Sequence, residues 1–557
     1  MMKGSGQMAS KPWREVNAIY QIYPRSFQDS NGDGIGDLRG IIDRFDYLHG
    51  HKDSLGIDAI WFSPIFPSPM ADMGYDVSNY CDIDPLFGTL DDFKELLQKA
   101  HERNINVMVD FVPNHTSEQH AWFVESRSSR TNDKQDYYVW RDAKPDGTEP
   151  NNWLSIFGGS AWQWDEGRGQ YYLHTFLKEQ PDLNWDNPMV RDEMKRAIRF
   201  WMDLGVDGIR ADAVRWMSKD PDLRDDPKNP LWRSSETLNK FDSLTHKYSR
   251  FWKNLFPYLR EITDVIAEYE NRIIIFEDYP DDNYSTKEQY LGFYGINPEV
   301  GMPFNFQGLW TDFYADAFRT FVTEFQGMLD PAKHRPVYCF SNHDQHRIVT
   351  RMGGDDQARL IALMQLTLPG LPTVYYGDEL GMPNTPVAVE DLQDLSAKSS
   401  GDPGVSRDPE RTPMQWQKSQ YAGFSEVKPW LPLGESLAKH NVKTQLHEPD
   451  SFLSLYRRLL KLRSRHEILR SGTYEAIGEL EADVFLYARW LGDEHVFVAL
   501  NFSDKERVVQ LPHKGRILCC THPVDYTDID EDGRVTLRPY EGVVVECGEH
   551  PLQNTKF

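Results

Sequence analysis

Short runs of β-branched and aromatic residues recur along the chain, each followed by a stretch of helical spacing, and this alternation constrains the fold more than any other feature. The runs are IYQIYPRSF (19–27), IDAIWFSPIF (57–66), INVMVDFVP (105–113), GVDGIRAD (205–212), RIIIFED (272–278), VYCFSN (337–342) and TVYYGDEL (373–380). Between them, DDFKELLQKAHER and VRDEMKRAIRFWMDLG carry apolar residues three and four apart, the pattern of a helix with one buried face. Strands that alternate with helices pair in parallel, because each helical crossover returns the chain to the same end of the sheet. A further strand around MPFNF (302–306) makes eight units over about 450 residues, the number that closes a (β/α)8 TIM barrel. An open doubly wound sheet is the runner-up.

The 557 residues exceed a plain barrel, and the surplus is visible. About 90 residues separate the third strand from the fourth, including a segment, 115–186, rich in Trp, Asn, Gly and charge. A Pro- and Ser-rich insertion at about 381–450 follows TVYYGDEL. Connections this long are commonly lids or subdomains. Beyond residue 471, segments such as DVFLYARWL, EHVFVALNF and GVVVECG alternate or run apolar, with turns and no helix between them. The expected organisation is a barrel in two parts (1–114 and 187–471), an inserted subdomain (115–186) and a C-terminal all-β sandwich domain (472–557).

The formal net charge is −25. Such a surface repels phosphate backbones and anionic lipid, which argues against nucleic acid and membrane partners and leaves neutral small molecules unopposed. Five scattered cysteines form no CxxC or Cys/His cluster and read as reduced, buried thiols. The N-terminal MMKGSGQMASKPWREV lacks an apolar stretch of signal-peptide length, so a soluble cytoplasmic protein, monomer or homodimer, is expected. The many aromatics (16 Trp, 26 Tyr, 29 Phe) suit either core packing or the stacking of sugar faces on flat rings, and composition does not choose between them.

In a barrel the chemistry gathers at the carboxyl ends of the strands. The polar residues ending these runs are Asp110, Asn114 and His115 after the third, Arg210 and Asp212 at the fourth, Glu277 at the fifth, and His343 and Asp344 at the seventh. Several carboxylates converging with two histidines and an arginine suit glycoside hydrolysis, which needs one ionised carboxylate and one carboxylic acid flanking the scissile bond. Ends of adjacent strands lie close together, favouring the short separation of retaining enzymes. Arg210 shares a strand face with Asp212 and is expected to hold it ionised. Glu277 sits behind IIIF, where apolar surroundings and nearby carboxylates are expected to raise its pKa. Asp278 competes for the same place: neighbouring strand residues face opposite ways, and spacing does not say which one enters the site.

Eight motifs in consistent order, IYQIYPRSFQDSNGDGIGDL, GYDVSNY, DFVPNHTS, YYLHTFLKEQPDLNW, GIRADAV, FSNHD, YYGDEL and RTPMQW, resemble the α-amylase superfamily of glycoside hydrolases, in particular its oligo-1,6-glucosidase and α-glucosidase branch. The resemblance covers nearly the whole chain. It implies an exo-acting retaining α-glucosidase for short oligosaccharides, working through a covalent glucosyl-enzyme. Carried over by position, it makes Asp212 the nucleophile, Glu277 the acid/base, and Asp344 the group that grips the 2- and 3-hydroxyls of the −1 glucose. His115, His343 and Arg210 match sugar-binding and charge-holding positions. Asp76 and Arg411 match a pair that closes the −1 pocket, and Phe157 and Phe176 match its aromatic lining. In DSNGDGIGD, Asp29, Asn31, Asp33, the Ile35 carbonyl and Asp37 stand at alternate positions like the start of an EF-hand loop. Gly40 occupies the twelfth position instead of Glu, so it is no EF-hand, but the resemblance implies a structural Ca²⁺, or Mg²⁺, in this loop.

Two residues depart from the family pattern. Phe276 precedes the acid/base where Gly is usual, and is expected to reshape the +1 side. Ala213 follows the nucleophile where Val accompanies α-1,6 cleavage and Thr α-1,4 cleavage, which leaves linkage open. A transglucosylase or isomerase of the same family is the nearest rival. The RLDRD-like loop of sucrose isomerases is absent around WTDFYADAFRTFVTEF; trehalose synthase remains. A non-catalytic member, such as the heavy subunits of amino-acid transporters, needs a membrane anchor and lacks catalytic carboxylates, whereas all three are present here.

Overall fold

The computed structural model describes residues 10–233, 240–281, 283, 285–400, 403–478, 483–511, 514–524, 528–529 and 532–547. Eight parallel strands form the central sheet: β1 (Ile19–Ile22), β2 (Ala59–Phe62), β3 (Asn106–Phe111), β4 (Gly208–Ala211), β5 (Ile273–Phe276), β6 (Gly301–Asn305), β7 (Val337–Tyr338) and β8 (Thr373–Tyr375). They pair in chain order, β8 returns to β1, and a parallel bridge from Cys339 to Thr373 joins β7 to β8 and closes the barrel. All eight strands are buried along their length, as a sheet covered by helices outside and filled within requires. The sixth strand is one residue earlier than MPFNF suggests. The seventh is only two residues long, because the chain turns out of the sheet to present Asn342, His343 and Asp344.

The helices follow from caps and spacing. Leu90–His101 begins with a Thr89/Asp92 capping box and buries Phe93, Leu96, Leu97 and Ala100, three and four apart. Pro188–Leu204 starts with Asn187 as cap and Pro at its first position, and ends at Gly205, whose φ of +104° closes the last turn. Its Trp201 stacks on Phe66 at 4.8 Å and donates to the Tyr80 carbonyl at 2.7 Å, locking this helix over β2 and β3.

Between β3 and that helix the chain builds a helix, Ala121–Ser128, and a three-stranded antiparallel sheet of Trp140–Arg141, Gln170–Leu173 and Trp162–Asp165. Beyond the barrel, six strands form an antiparallel sheet. Phe485, Tyr487 and Val498 on one face join the main core, whereas Ala488, Phe497 and Val545 on the other pack against Val509 and Val535 of a two-stranded sheet. That is a sandwich, with alternate residues serving the two cores. All five cysteines are free; Cys81 is exposed, against expectation, because it lies on a surface turn, and the other four are buried. No helix among the described residues is long and apolar enough to cross a membrane.

Candidate active site

The hydrogen-bond ladder carries the reactive groups to one end of the barrel. Register pairs Asp110 with Arg210 and Ala211 with Phe276. The ladder runs one residue further, with Asp212 N donating to Phe111 O and Glu277 N to Ala211 O, each at 2.8 Å. Asp212 and Glu277 therefore sit side by side just past the carboxyl ends of β4 and β5. Asp278 turns the other way, into ion pairing with Arg215 at 2.7 Å, which settles the ambiguity between the two acids in favour of Glu277. Phe276, on the same side of the strand as Asp278, packs against Phe293 at 5.6 Å. It lies behind β5 rather than on the +1 side, so the expectation that it reshapes that side is corrected; alternation along the strand is the reason.

Arg210 is the hub. It is almost fully buried, and Nη1 reaches Asp110 at 2.9 Å and Asp212 at 2.6 Å while Nη2 reaches Glu277 at 2.6 Å. Its guanidinium lies over Trp61 and against Tyr75. Removing it would strand three buried carboxylates, a loss on the order of 3–5 kcal/mol. Burial, then the neighbouring Glu277, pushes Asp212 well above the usual carboxylate range against the pull of Arg210. The expectation that Arg210 alone holds it ionised is therefore corrected: one guanidinium shared among several buried acids does not offset their burial. Burial also raises Asp110 to about 6. Asp110 and Asp212 share this one cation, so the two titrate as a set. The second oxygen of Glu277 accepts from Ala213 N at 2.8 Å. Ala213 has φ +50°, left-handed backbone, which aims that N–H at the carboxylate and disfavours a branched side chain there.

Asp344 is set opposite. Burial would raise it, but His343 through its ring N–H, and Arg407 and Arg411 through their charge, hold it well below the usual carboxylate range; Arg411 Nη2 is 3.0 Å away and Arg407 Nη1 3.3 Å. Burial keeps His343 neutral. Gln21 Nε2 donates to its Nδ1 at 2.9 Å, so the ring proton is on Nε2, 2.6 Å from Tyr75 Oη and 3.4 Å from Asp344. His115, lowered to about 4 by burial, packs on Phe176 at 5.0 Å.

Asp212, Glu277, Asp344, His115, Phe157 and Phe176 line one cavity of about 620 Å³. Arg210 and His343 stand immediately behind it. The expected Asp76–Arg411 pair is not formed. Asp76 accepts from Ala71 N, Asp72 N and Ser68 Oγ, each at 2.9 Å, and so closes a turn. The ion pair at the cavity wall is Asp72–Arg407, at 2.7 Å, with Arg407 over Phe157 and gripped by Asp394. Both residues lie four positions before the expected ones, just ahead of the same motifs. A carboxylate before GYD and an arginine before RTPMQW were visible, but turns have no fixed side-chain period, so spacing could not rank them.

In the 29–37 loop, Asp29 Oδ1 accepts from Asn31 N and Gly32 N, Asn31 Oδ1 from Asp33 N, and Asp33 Oδ1 from Ile35 N. Asp37 caps the helix Leu38–Asp43. The side-chain and carbonyl donors here are all oxygen, the type that suits Ca²⁺ or Mg²⁺. Among the described residues no three Asp, Glu, His or Cys side chains cluster tightly enough to hold an ion, so amide and carbonyl oxygens would have to share in binding one.

Residues 21–472 match the family described as alpha amylase, catalytic domain. The chain belongs to the α-amylase family. An oligo-1,6-glucosidase of Parageobacillus thermoglucosidasius is 38% identical, over 96% of this chain and 98% of that protein. A probable alpha-glucosidase of Rhizobium meliloti (strain 1021) is 41% identical, over 90% and 92%. The solved structure of an α-glucosyl transfer enzyme, XgtA, has a TM-score of 0.88 at 38% identity, over 97% of this chain and 100% of that one. As a member of the α-amylase family with relatives across nearly its full length, the chain is a glycoside hydrolase.

Proposed function

We propose that this chain is an exo-acting, retaining α-glucosidase that releases terminal glucose from short α-linked oligosaccharides. The observation that carries the reading is one guanidinium, Arg210, bonded at 2.6 Å to both Asp212 and Glu277. Two carboxyls on one fork are held close, which favours double displacement, at about 5 Å, over the wider arrangement with a water between them. Asp212 attacks the anomeric carbon as Glu277 protonates the departing oxygen. Glu277, then ionised, takes a proton from water, which attacks the glucosyl-enzyme. Asp344, kept ionised by Arg407 and Arg411, holds the sugar hydroxyls and steadies positive charge in the transition state. The Asp72–Arg407 pair supports exo action, since it forms a closed ion-paired stretch of the cavity wall beside Asp344 and Phe157.

Proton NMR of fresh reactions with maltose, isomaltose, sucrose and trehalose tests the reading. Free α-glucose is expected to precede the β anomer, and relative rates give the linkage that Ala213 leaves open. Inverted product, or new disaccharides with little free glucose, would overturn it; the second result is transfer, the activity stated in the name of XgtA.

We also propose that the 29–37 loop takes a structural Ca²⁺ or Mg²⁺ through Asp29, Asn31, Asp33, the Ile35 carbonyl and Asp37. The support is the all-oxygen set in EF-hand order. Excess EDTA is expected to lower the melting temperature by about 2–4 °C, with Ca²⁺ restoring it. An unchanged melting temperature, or the same shift in Asp33→Ala, refutes the site. Free cysteines throughout support a reducing, cytoplasmic setting.

A further inference from the structure

A second cavity, of about 930 Å³, shares no residue with the active site. It lies between the loop 49–56, which precedes β2 and so belongs to the opposite end of the barrel, the helix Phe452–Arg465 and the C-terminal strand Gly515–Cys520. Lys11, Lys52, Arg457, Arg458 and Lys461 line it together with three histidines, and among the described residues no Asp or Glu does. In a chain with 86 acidic residues and a net charge of −25, a hollow whose charged lining residues are all basic is out of keeping with the rest of the surface.

Some of this charge is met from behind. Lys11 pairs with Asp58 at 2.5 Å, Arg457 with Asp53 at 3.4 Å and His522 with Asp450 at 2.9 Å. Lys52, Arg458 and Lys461 have no carboxylate in ion-pair range among the described residues. Arg458 is nonetheless fixed: it donates to Pro449 O at 2.8 Å and reaches Cys520 O at 3.4 Å, across the gap between helix and strand. Ser454, Arg458, Lys461 and Ser464 follow at intervals of three or four along the helix, so guanidinium, ammonium and hydroxyl donors face the cleft together. Like charges gathered in a concave, partly desolvated site repel one another, and a multivalent anion relieves that repulsion while supplying acceptors for several donors at once.

We propose that this cleft binds a small ligand carrying phosphate groups, held by Lys52, Arg458 and Lys461, and that it bridges the barrel and the C-terminal β-domain. The proposal does not depend on the glucosidase reading, because its test reads binding and not turnover. Isothermal calorimetry of the full chain with pyrophosphate, inorganic phosphate and glucose 6-phosphate, each at constant ionic strength against a chloride control, is the experiment. Saturable heat with at least one of the three is expected, with a rise in melting temperature that chloride does not reproduce. Preference for glucose 6-phosphate assigns a phosphorylated sugar; preference for pyrophosphate assigns the phosphate groups alone. The double variant Lys52→Glu/Lys461→Glu changes two exposed side chains, and is expected to bind at least about tenfold more weakly with maltose hydrolysis unchanged. Absence of saturable heat with all three probes, or undiminished binding in the double variant, overturns the site.

Discussion

Glu277→Gln and Asp212→Asn each lower kcat on maltose by roughly a thousandfold or more, and they fail in different ways. Both changes keep shape and remove one ionisable oxygen, and Arg210 still reaches an amide oxygen at either position, so the fold is retained. Without Glu277 the departing sugar leaves unprotonated. A fluoride leaving group needs no proton, so Glu277→Gln still forms the glucosyl-enzyme from α-glucosyl fluoride but loses the base that activates water. The intermediate then accumulates, and intact mass rises by one anhydroglucose. Azide needs no base, and its attack on the β-linked intermediate gives α-glucosyl azide. Asp212→Asn does none of this: it has no group to form the ester, so neither fluoride nor azide restores turnover. Near-normal activity in either variant, or a trapped adduct in Asp212→Asn, removes the assignment. The coupled titration of Asp110 and Asp212 adds a constraint. Asp110, raised to about 6 by burial, competes for the charge of Arg210, and loss of a carboxylate from the trio frees more of that charge for those that remain.

The barrel was legible in sequence because the signals that make it are local and periodic. Each buried strand is a short apolar run and each helix a three-and-four pattern with a cap, as in Leu90–His101, so the eight units could be counted without knowing where they pair. That Asp212, Glu277 and Asp344 would meet in one cavity was legible for the same reason: strand ends are marked, and barrel geometry brings them together. Legibility failed where side-chain direction depends on context. Glu277 and Asp278 could not be told apart until Arg215 claimed the second, and Phe276 was placed by alternation on the outside of β5. It failed most clearly in irregular loops. Asp76 is consumed by the turn 68–72, and that turn is what brings Asp72, four residues earlier, to the cavity. The sandwich was visible from its alternating strands, whereas the basic cleft beside it was not, since it is assembled from separate segments around residues 49–56, 452–465 and 515–524.

The Asp72–Arg407 pair sets the second large effect. Arg407 touches Asp72, Asp344 and Asp394 and lies over Phe157, so it ties the cavity wall to the carboxylate that grips the sugar. Asp72→Asn and Arg407→Gln are each expected to lower kcat/KM for maltose by about a hundredfold, near 2.7 kcal/mol of transition-state binding. If the two act as one unit, the double variant loses little more than either alone; independent roles predict a loss near ten-thousandfold. The direction of selectivity separates a wall from a mere scaffold. Opening the wall makes room beyond the terminal glucose, so the ratio of activity on an oligosaccharide capped at its non-reducing end to activity on maltose is expected to rise in both single variants. Asp76→Asn provides the contrast. Its carboxylate accepts from Ala71 N, Asp72 N and Ser68 Oγ and does not itself line the cavity; Asn keeps one acceptor oxygen for Asp72 N, so the change lowers the melting temperature and leaves that ratio close to where it was. Additive losses at positions 72 and 407, or a shift in the ratio in Asp76→Asn alone, would return the closing role to the pair that the family resemblance implied.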